Sequence, residues 1–335
     1  MKRLIFSLVM LSVVVAYAQP DIRGPIASPA PGVLDGVYVQ EHIPTKKVVP
    51  YDFVREADVT WARRVWSFVD LREKFNHPLY YPLDDLQNGM WQKNTTRWSL
   101  WTIIRHHVMT GDLTIYSPFN PNWEQWVDGD MFKYPVVSNL PNGTYFTDKE
   151  FRERAFIYMG SEQVDPFAEP LKSYVYPDED SLRENPETGF MEAVYPPSDT
   201  IWYTSKDIVQ YRIKEDFFFD KERSVMDRRI IGIAPVVYSR DQNGNISGLR
   251  ELFWLYFPEC RYVFQNFFVQ SRHNDAQRMS FDDLFWKRMF QSTIYKETNI
   301  YDRSVDSYRA GVDALLEAEK IKEKIANFEH DLWSF

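Results

Sequence analysis

The stretch Ile230-Ile-Gly-Ile-Ala-Pro-Val-Val-Tyr238 is an apolar run of strand length. Asp241-Gln-Asn-Gly-Asn245 follows, then Leu249-Arg-Glu-Leu-Phe-Trp-Leu-Tyr-Phe257. β-branched and aromatic residues suit a pleated, half-buried surface, and Asn and Gly tolerate the positive φ of a tight turn. The three pieces predict an antiparallel hairpin whose first strand is buried.

Helical periods flank this hairpin on both sides. Thr95 or Thr96 can cap a helix to about Met109, with Trp98, Trp101, Ile104 and Val108 on one face and Gly111 as its stop. Asp112 to Tyr116 reads as a strand. Thr147 and Glu150 have capping-box spacing before Phe151, Ala155 and Tyr158. Ser280 and Asp283 cap a helix through Leu284, Phe285, Met289 and Phe290. Arg309 to about His330 is amphipathic, with Ile321, Ile325, Phe328 and Leu332 on one stripe. Asp58 to Tyr81 reads as strand or short helix, then strand. The expected class is therefore α+β, mixed helices and antiparallel hairpins. Asp70, Arg72 and Tyr81 match Asp227, Arg229 and Tyr238 at one constant offset, which suggests two related halves over 58–160 and 201–303.

Outside these halves the composition changes. Lys2 and Arg3 precede the apolar run Leu4 to Val15, and Ala16-Tyr17-Ala18 places small residues before Gln19. This is the pattern of a secretory signal peptide over 1–18, cut between Ala18 and Gln19, and its apolar run is too short for a bilayer span. Residues 19–57 form a proline-rich arm, with six prolines between 19 and 50. Proline fixes φ and removes a donor, so the arm is expected to be extended. Val33, Leu34, Val37 and Tyr38 give it apolar content that a plain linker would lack. It either docks on a partner or packs on its own domain. Residues 161–200 hold ten acids against Lys172 and Arg183, which reads as a solvated acidic loop. Ser181 and Thr200 there fit a short Asp-Ser/Thr-apolar O-glycosylation pattern. Residues 304–335 hold the C-terminal helix.

The chain has 335 residues, 44% of them hydrophobic, and a net charge of −9, which disfavours nucleic acid as a partner. Cys260 is the single cysteine, so no internal disulfide forms. Twenty-four Phe, 20 Tyr and 11 Trp supply either a dense core or broad partner surfaces.

Catalytic templates fail on residue type. No His-Glu-x-x-His or Gly-x-Ser-x-Gly occurs, and no phosphate-cradling glycine loop. His106 and His107 are adjacent and diverge on a helix. Cys260 lies in an aromatic segment that favours burial. Asp84-Asp85 and Asp282-Asp283 are neighbours, whereas a glycosidase needs carboxylates facing across a cleft. No catalytic, metal or cofactor residue is expected, and the protein is expected not to be an enzyme. Tryptophans 91, 98, 101, 123 and 126 leave one alternative open, a secreted glycan-binding protein.

Several segments carry a resemblance. They are Val33-Leu-Asp-Gly-Val-Tyr-Val-Gln40, Arg63-Arg-Val-Trp66, Val69-Asp-Leu-Arg-Glu-Lys74, Asp216-Phe-Phe-Phe-Asp-Lys-Glu-Arg-Ser-Val-Met-Asp227, Ile231-Gly-Ile-Ala-Pro235, Asp282-Asp-Leu-Phe285 and Tyr295-Lys-Glu-Thr-Asn-Ile-Tyr-Asp-Arg303. In this order they resemble the GldN (PorN) proteins, a gliding-motility and type IX secretion family of Bacteroidota. The resemblance implies a non-enzymatic periplasmic subunit without cofactor. It also implies binding to the outer-membrane lipoprotein GldK (PorK) in a large ring, several copies of the chain per ring, and contact with the GldL–GldM (PorL–PorM) motor. Arg63, Arg64, Trp66, Phe217, Phe218 and Arg223 are then the expected anchors on folded elements, because interface energy concentrates in aromatic and arginine side chains. Val33, Leu34, Val37 and Tyr38 are the expected contacts from the arm.

Overall fold

The computed structural model describes residues 47–332, apart from 88–89, 121–122, 164–181, 185–190, 194–198, 241–244, 272–273 and 275–278. Its frame is an 8-stranded sheet. In chain order the strands are β1 (Val59–Asp70), β2 (Ile115–Tyr116), β3 (Pro135–Val136), β4 (Ile208–Asp220), β5 (Val225–Arg240), β6 (Ile246–Glu251), β7 (Trp254–Tyr256) and β8 (Thr293–Glu297). The spatial order is β8-β1-β4-β5-β7-β2-β3, with β6 also paired to β5 and every pair antiparallel. Among the described residues the five helices of more than one turn are α1 (Leu100–Thr110), α2 (Lys149–Met159), α3 (Phe257–Phe264), α4 (Phe281–Trp286) and α5 (Val312–Asp331). The α+β expectation is met.

The longest hairpin is β4–β5, which the sequence reading did not separate from its surroundings. Its connection, Lys221-Glu-Arg-Ser224, lacks the Asn or Gly of a familiar turn. Instead the Asp220 carboxylate accepts from the backbone N–H of Glu222 at 2.9 Å and of Arg223 at 3.4 Å. Ser224 takes the positive φ of 54°. An Asp side chain thus does the closing that sequence reading assigns to Gly.

The expected 230–238/249–257 hairpin is real but broken in its second strand. β6 pairs with the outer end of β5 and β7 with Gly232 and Ile233. Between them Leu252 and Phe253 are fully buried, so core packing interrupts the pairing. Phe257 already belongs to α3, started by Pro258 in its first turn. The turn residues 241–244 lie outside the described residues.

Other boundaries move for local reasons. Asp58 to Tyr81 is one long strand followed by helical turns at Lys74–Asn76 and His77–Tyr80, not two strands. α1 is capped by Ser99, whose Oγ accepts from Thr102 N, and not by Thr95 or Thr96; Trp98 precedes it. Gly111 ends it with φ 86°, a conformation glycine adopts without strain. The strand expected from Asp112 begins only at Ile115. Asp148, not Thr147, caps α2. Ser280 and Asp283 form the expected capping box on α4. That helix stops at Trp286, however, so Met289 and Phe290 lie beyond it.

One sheet face carries Val69, Tyr211, Ile213, Ile233, Leu255, Ile115 and Val136 into the main core, which takes in residues of α1 to α4. α5 lays Ile321 and Ile325 on Val65, with Phe217 and Trp61 beside them. Phe328 stacks on Trp61 at 4.5 Å, while Leu332 stays exposed. The segments 58–160 and 201–303 contribute interleaved strands to this single sheet. Asp227, Arg229 and Tyr238 share β5, whereas Asp70, Arg72 and Tyr81 span a strand end, a turn and a helix end. The offset therefore relates unlike local structures.

Candidate partner-binding surface

Register brings most of the expected anchors together. In the β1–β4 ladder Arg63 faces Phe217, Ala62 faces Phe218 and Arg64 faces Asp216. Arg223 lies in the β4–β5 turn at the same end of the sheet. Arg64 forks onto the Asp216 carboxylate at 2.6 and 2.7 Å. Arg63 is exposed, donating to Thr298 O at 3.1 Å. Arg223 binds Asp220 at 2.7 Å and Asp52 at 2.6 Å. Its guanidinium therefore knits the turn to the segment before β1. Phe217 packs against α5, and Phe218 is buried beneath Arg229, whose guanidinium sits 5.1 Å from its ring centre. Arg63, Arg64 and Arg223 are thus accessible, while the two phenylalanines serve packing.

Trp66 shares its strand face with Arg64 and Phe218, opposite Arg63 and Phe217, and is buried with Ala234 and Trp254. Its Nε1 donates to Asp130 Oδ2 at 3.0 Å. Lys214 lies beside it, almost wholly enclosed, and donates to Asp130 O at 2.6 Å. Burial pulls the Lys214 ammonium below its ordinary range, against the pull of Asp130. Gly129 lets this loop close on the sheet, because a Cβ there would overlap the backbone of Ser117 and Pro118. Trp66 is accordingly a structural residue and not an exposed anchor.

The feature that sequence reading missed is the seat of the arm. Val48 N donates to Gln265 Oε1 at 3.0 Å. Tyr51 stacks on Trp286 at 5.7 Å and lies between the guanidinium groups of Arg261, at 4.5 Å, and Arg229, at 5.1 Å. Burial pushes its phenol up to about 12. Arg229 also donates to Asp52 O at 2.7 Å. Beneath Tyr51, Arg261 forks onto Asp282 at 2.8 and 3.3 Å. Two adjoining clefts of 280 and 190 Å³ share Arg261, Asp282 and Trp286. The aromatic Tyr51 following Pro50 was the available signal. Val48, Tyr51 and Asp52 therefore tie the described end of the arm to its own body, although Phe53 between them and β1 is exposed, while Val33, Leu34, Val37, Tyr38, Ala18 and Gln19 lie outside the described residues.

The residues tested for chemistry have structural partners. Cys260 is buried, which drives its thiol well above the ordinary range and away from the reactive thiolate. His107 Nδ1 pairs with Asp112 at 2.8 Å. Asp84 is buried, taking Trp91 Nε1 at 2.5 Å and Ser205 N at 2.6 Å, whereas Asp85 is exposed and meets Lys206. Among the described residues no group of three His, Cys, Asp or Glu could hold a metal ion. Trp98 and Trp101 are core residues, so neither presents a face to a sugar. Trp91 is half-buried under Arg105 at 4.2 Å. The side chains of Trp123 and Trp126 lie outside the described residues.

Among the described residues no helix is long and apolar enough to cross a membrane. Nothing among curated proteins matches the chain. One family does: residues 54–334 match the family described as gliding motility associated protein GldN. That match begins just before β1 and runs past the end of α5, so it covers the folded body rather than a fragment of it. The chain belongs to the GldN family and is a component of the gliding-motility and type IX secretion machinery.

Proposed function

We propose that the protein is a non-enzymatic periplasmic subunit of this machinery. It is delivered by its signal peptide and held under the outer membrane by the lipoprotein GldK (PorK). Several copies line a ring there and couple it to the GldL–GldM (PorL–PorM) motor. The observation that carries this reading is the family match over the whole sheet and α5. An accessible arginine cluster at one end of the sheet supports it, since exposed guanidinium groups on a rigid frame suit protein contacts.

The test is a pull-down from envelope extract with tagged protein. Wild type should bring down the lipoprotein. The Arg63→Gln/Arg64→Gln variant should stay folded and lose the lipoprotein and cargo secretion. A variant that stays folded and retains full co-purification would reject this surface as the contact. Failure of the wild-type protein to capture the lipoprotein would reject the ring reading.

A further inference from the structure

β8 ends at Glu297, and residues 298–303 turn the chain away from the sheet in a braced loop. Its base is fixed to β1. Thr298 N and Oγ1 both donate to Arg64 O, at 3.0 and 3.2 Å, and Arg63 Nη1 donates to Thr298 O. Its middle is fixed by one side chain. Asn299 Oδ1 accepts from the N–H of Tyr301 at 3.1 Å and of Arg303 at 3.2 Å. Asn299 Nδ2 donates to Glu297 O at 2.9 Å and to Arg303 O at 2.8 Å. These four bonds use the whole capacity of the amide. Asp302 takes a φ of 47° and pairs with Lys296 at 2.7 Å.

The bracing holds an apolar tip in water: Ile300 is 98% exposed and Tyr301 75%. Folding gains nothing from an isoleucine left in solvent, whereas a tip already fixed in shape has less freedom to lose when a partner closes on it. Cations around the tip are matched, Arg63 to Glu297 at 3.8 Å and Arg64 to Asp216 at 2.6 Å. Arg303 instead lies between the rings of Tyr301, at 4.8 Å, and Tyr308, at 4.5 Å. Among the described residues no carboxylate stands at ion-pair distance from it. The tip thus joins an aliphatic side chain, a phenol and a guanidinium, the chemistry of an interface anchor, and it adjoins the Arg63–Arg64 surface. Its complement is an apolar pocket edged by carboxylate. A lipid surface would set its phosphates against Asp302, whose carboxylate is exposed between Tyr301 and Arg303. A second copy offers no surplus of acid in its described clefts. One sets Asp227 and Asp282 against Arg228, Arg261 and Arg288, and the other sets Asp282 and Asp283 against Lys47 and Arg261.

We propose that Ile300, Tyr301 and Arg303 form a preformed plug that enters an apolar, carboxylate-edged pocket on the lipoprotein GldK (PorK). Only the identity of that partner rests on the ring reading. Pull-down from envelope extract with the full-length tagged protein tests the plug. Ile300→Ser/Tyr301→Ser should leave the melting temperature unchanged and lower captured lipoprotein on the order of tenfold. Asn299→Ala keeps the docking side chains but frees the loop, and should lower capture as well. Full capture by the folded Ile300→Ser/Tyr301→Ser variant would overturn the plug while the ring reading stands. Absence of capture by wild type would sink the ring reading and the partner assignment with it. A benzoylphenylalanine photocrosslinker at position 300 in intact cells should give an adduct with the lipoprotein. An adduct with a second copy, with lipid, or with nothing would overturn the proposed partner.

Discussion

Arg261 and Asp282 are both nearly enclosed, so their fork is the main compensation each has for leaving water. Asp282→Asn should cost about 3–5 kcal/mol in urea unfolding, the usual effect of stranding one partner of a buried pair. Arg223→Gln, at an open turn, should shift urea unfolding far less than Asp282→Asn, because an exposed ion pair is screened by water. His106 gives a pH test. Burial, and then the positive charge of Lys93, lowers its imidazole from 6.5 to about 4. The folded form therefore holds it neutral where the unfolded chain already binds a proton. Its contribution is complete above about 6.5 and is lost as pH falls towards about 4. The melting temperature should decline over that window, and His106→Gln should decline less. An equal slope in both proteins would show that other groups, such as His107, govern it. At this scale the sequence was legible as chemistry but not as exposure. Trp66 and Phe218 carry the right side chains for anchors, yet alternation on a sheet buried on both faces gives no outward side to read. Asp84 and Cys260 were recognisable as structural from the absence of partners with catalytic spacing.

Elements were most legible where local chemistry sets them. The Ser280–Asp283 capping box, the Gly111 stop and the stripe of α5 are short-range signals, and all three stand in the structure. The β4–β5 hairpin escaped notice because its turn is closed by a carboxylate rather than by glycine. The split of the return strand into β6 and β7 is set by burial of Leu252 and Phe253, a tertiary demand invisible in a local pattern. α5 allows a direct test. Ile321→Ala removes a side chain buried against Val65 and should cost about 2–5 kcal/mol. Leu332→Ala, on the exposed end of the same stripe, should shift unfolding by about 0.5 kcal/mol or less. Equal costs would mean that α5 seats differently from the packing described.

At the scale of the molecule the arm divides in two. Residues 47–53 belong to the body through Val48, Tyr51 and Asp52, so a deletion that includes them removes tertiary contacts. Deleting 19–46 should leave the melting temperature unchanged within about 2 °C, while deleting 19–53 should lower it by about 4 °C or more. Scanning calorimetry of the two truncations decides this, and identical transitions would dismiss the Tyr51 seat as a stabilising contact. The interleaved strand order has a further consequence, for time rather than space. Arg64 finds Asp216 only 152 residues later in the chain, and β8 and α5, which complete its surroundings, come later still. A chain that emerges amino end first must therefore keep β1, with Trp61, Val65 and Trp66, unpaired until β4 has been delivered at residue 220. Such distant pairings fold slowly and leave a sticky edge open meanwhile. This protein should depend on a holding chaperone during its own biogenesis, and a stop placed before residue 293 should yield a protease target rather than a shorter domain.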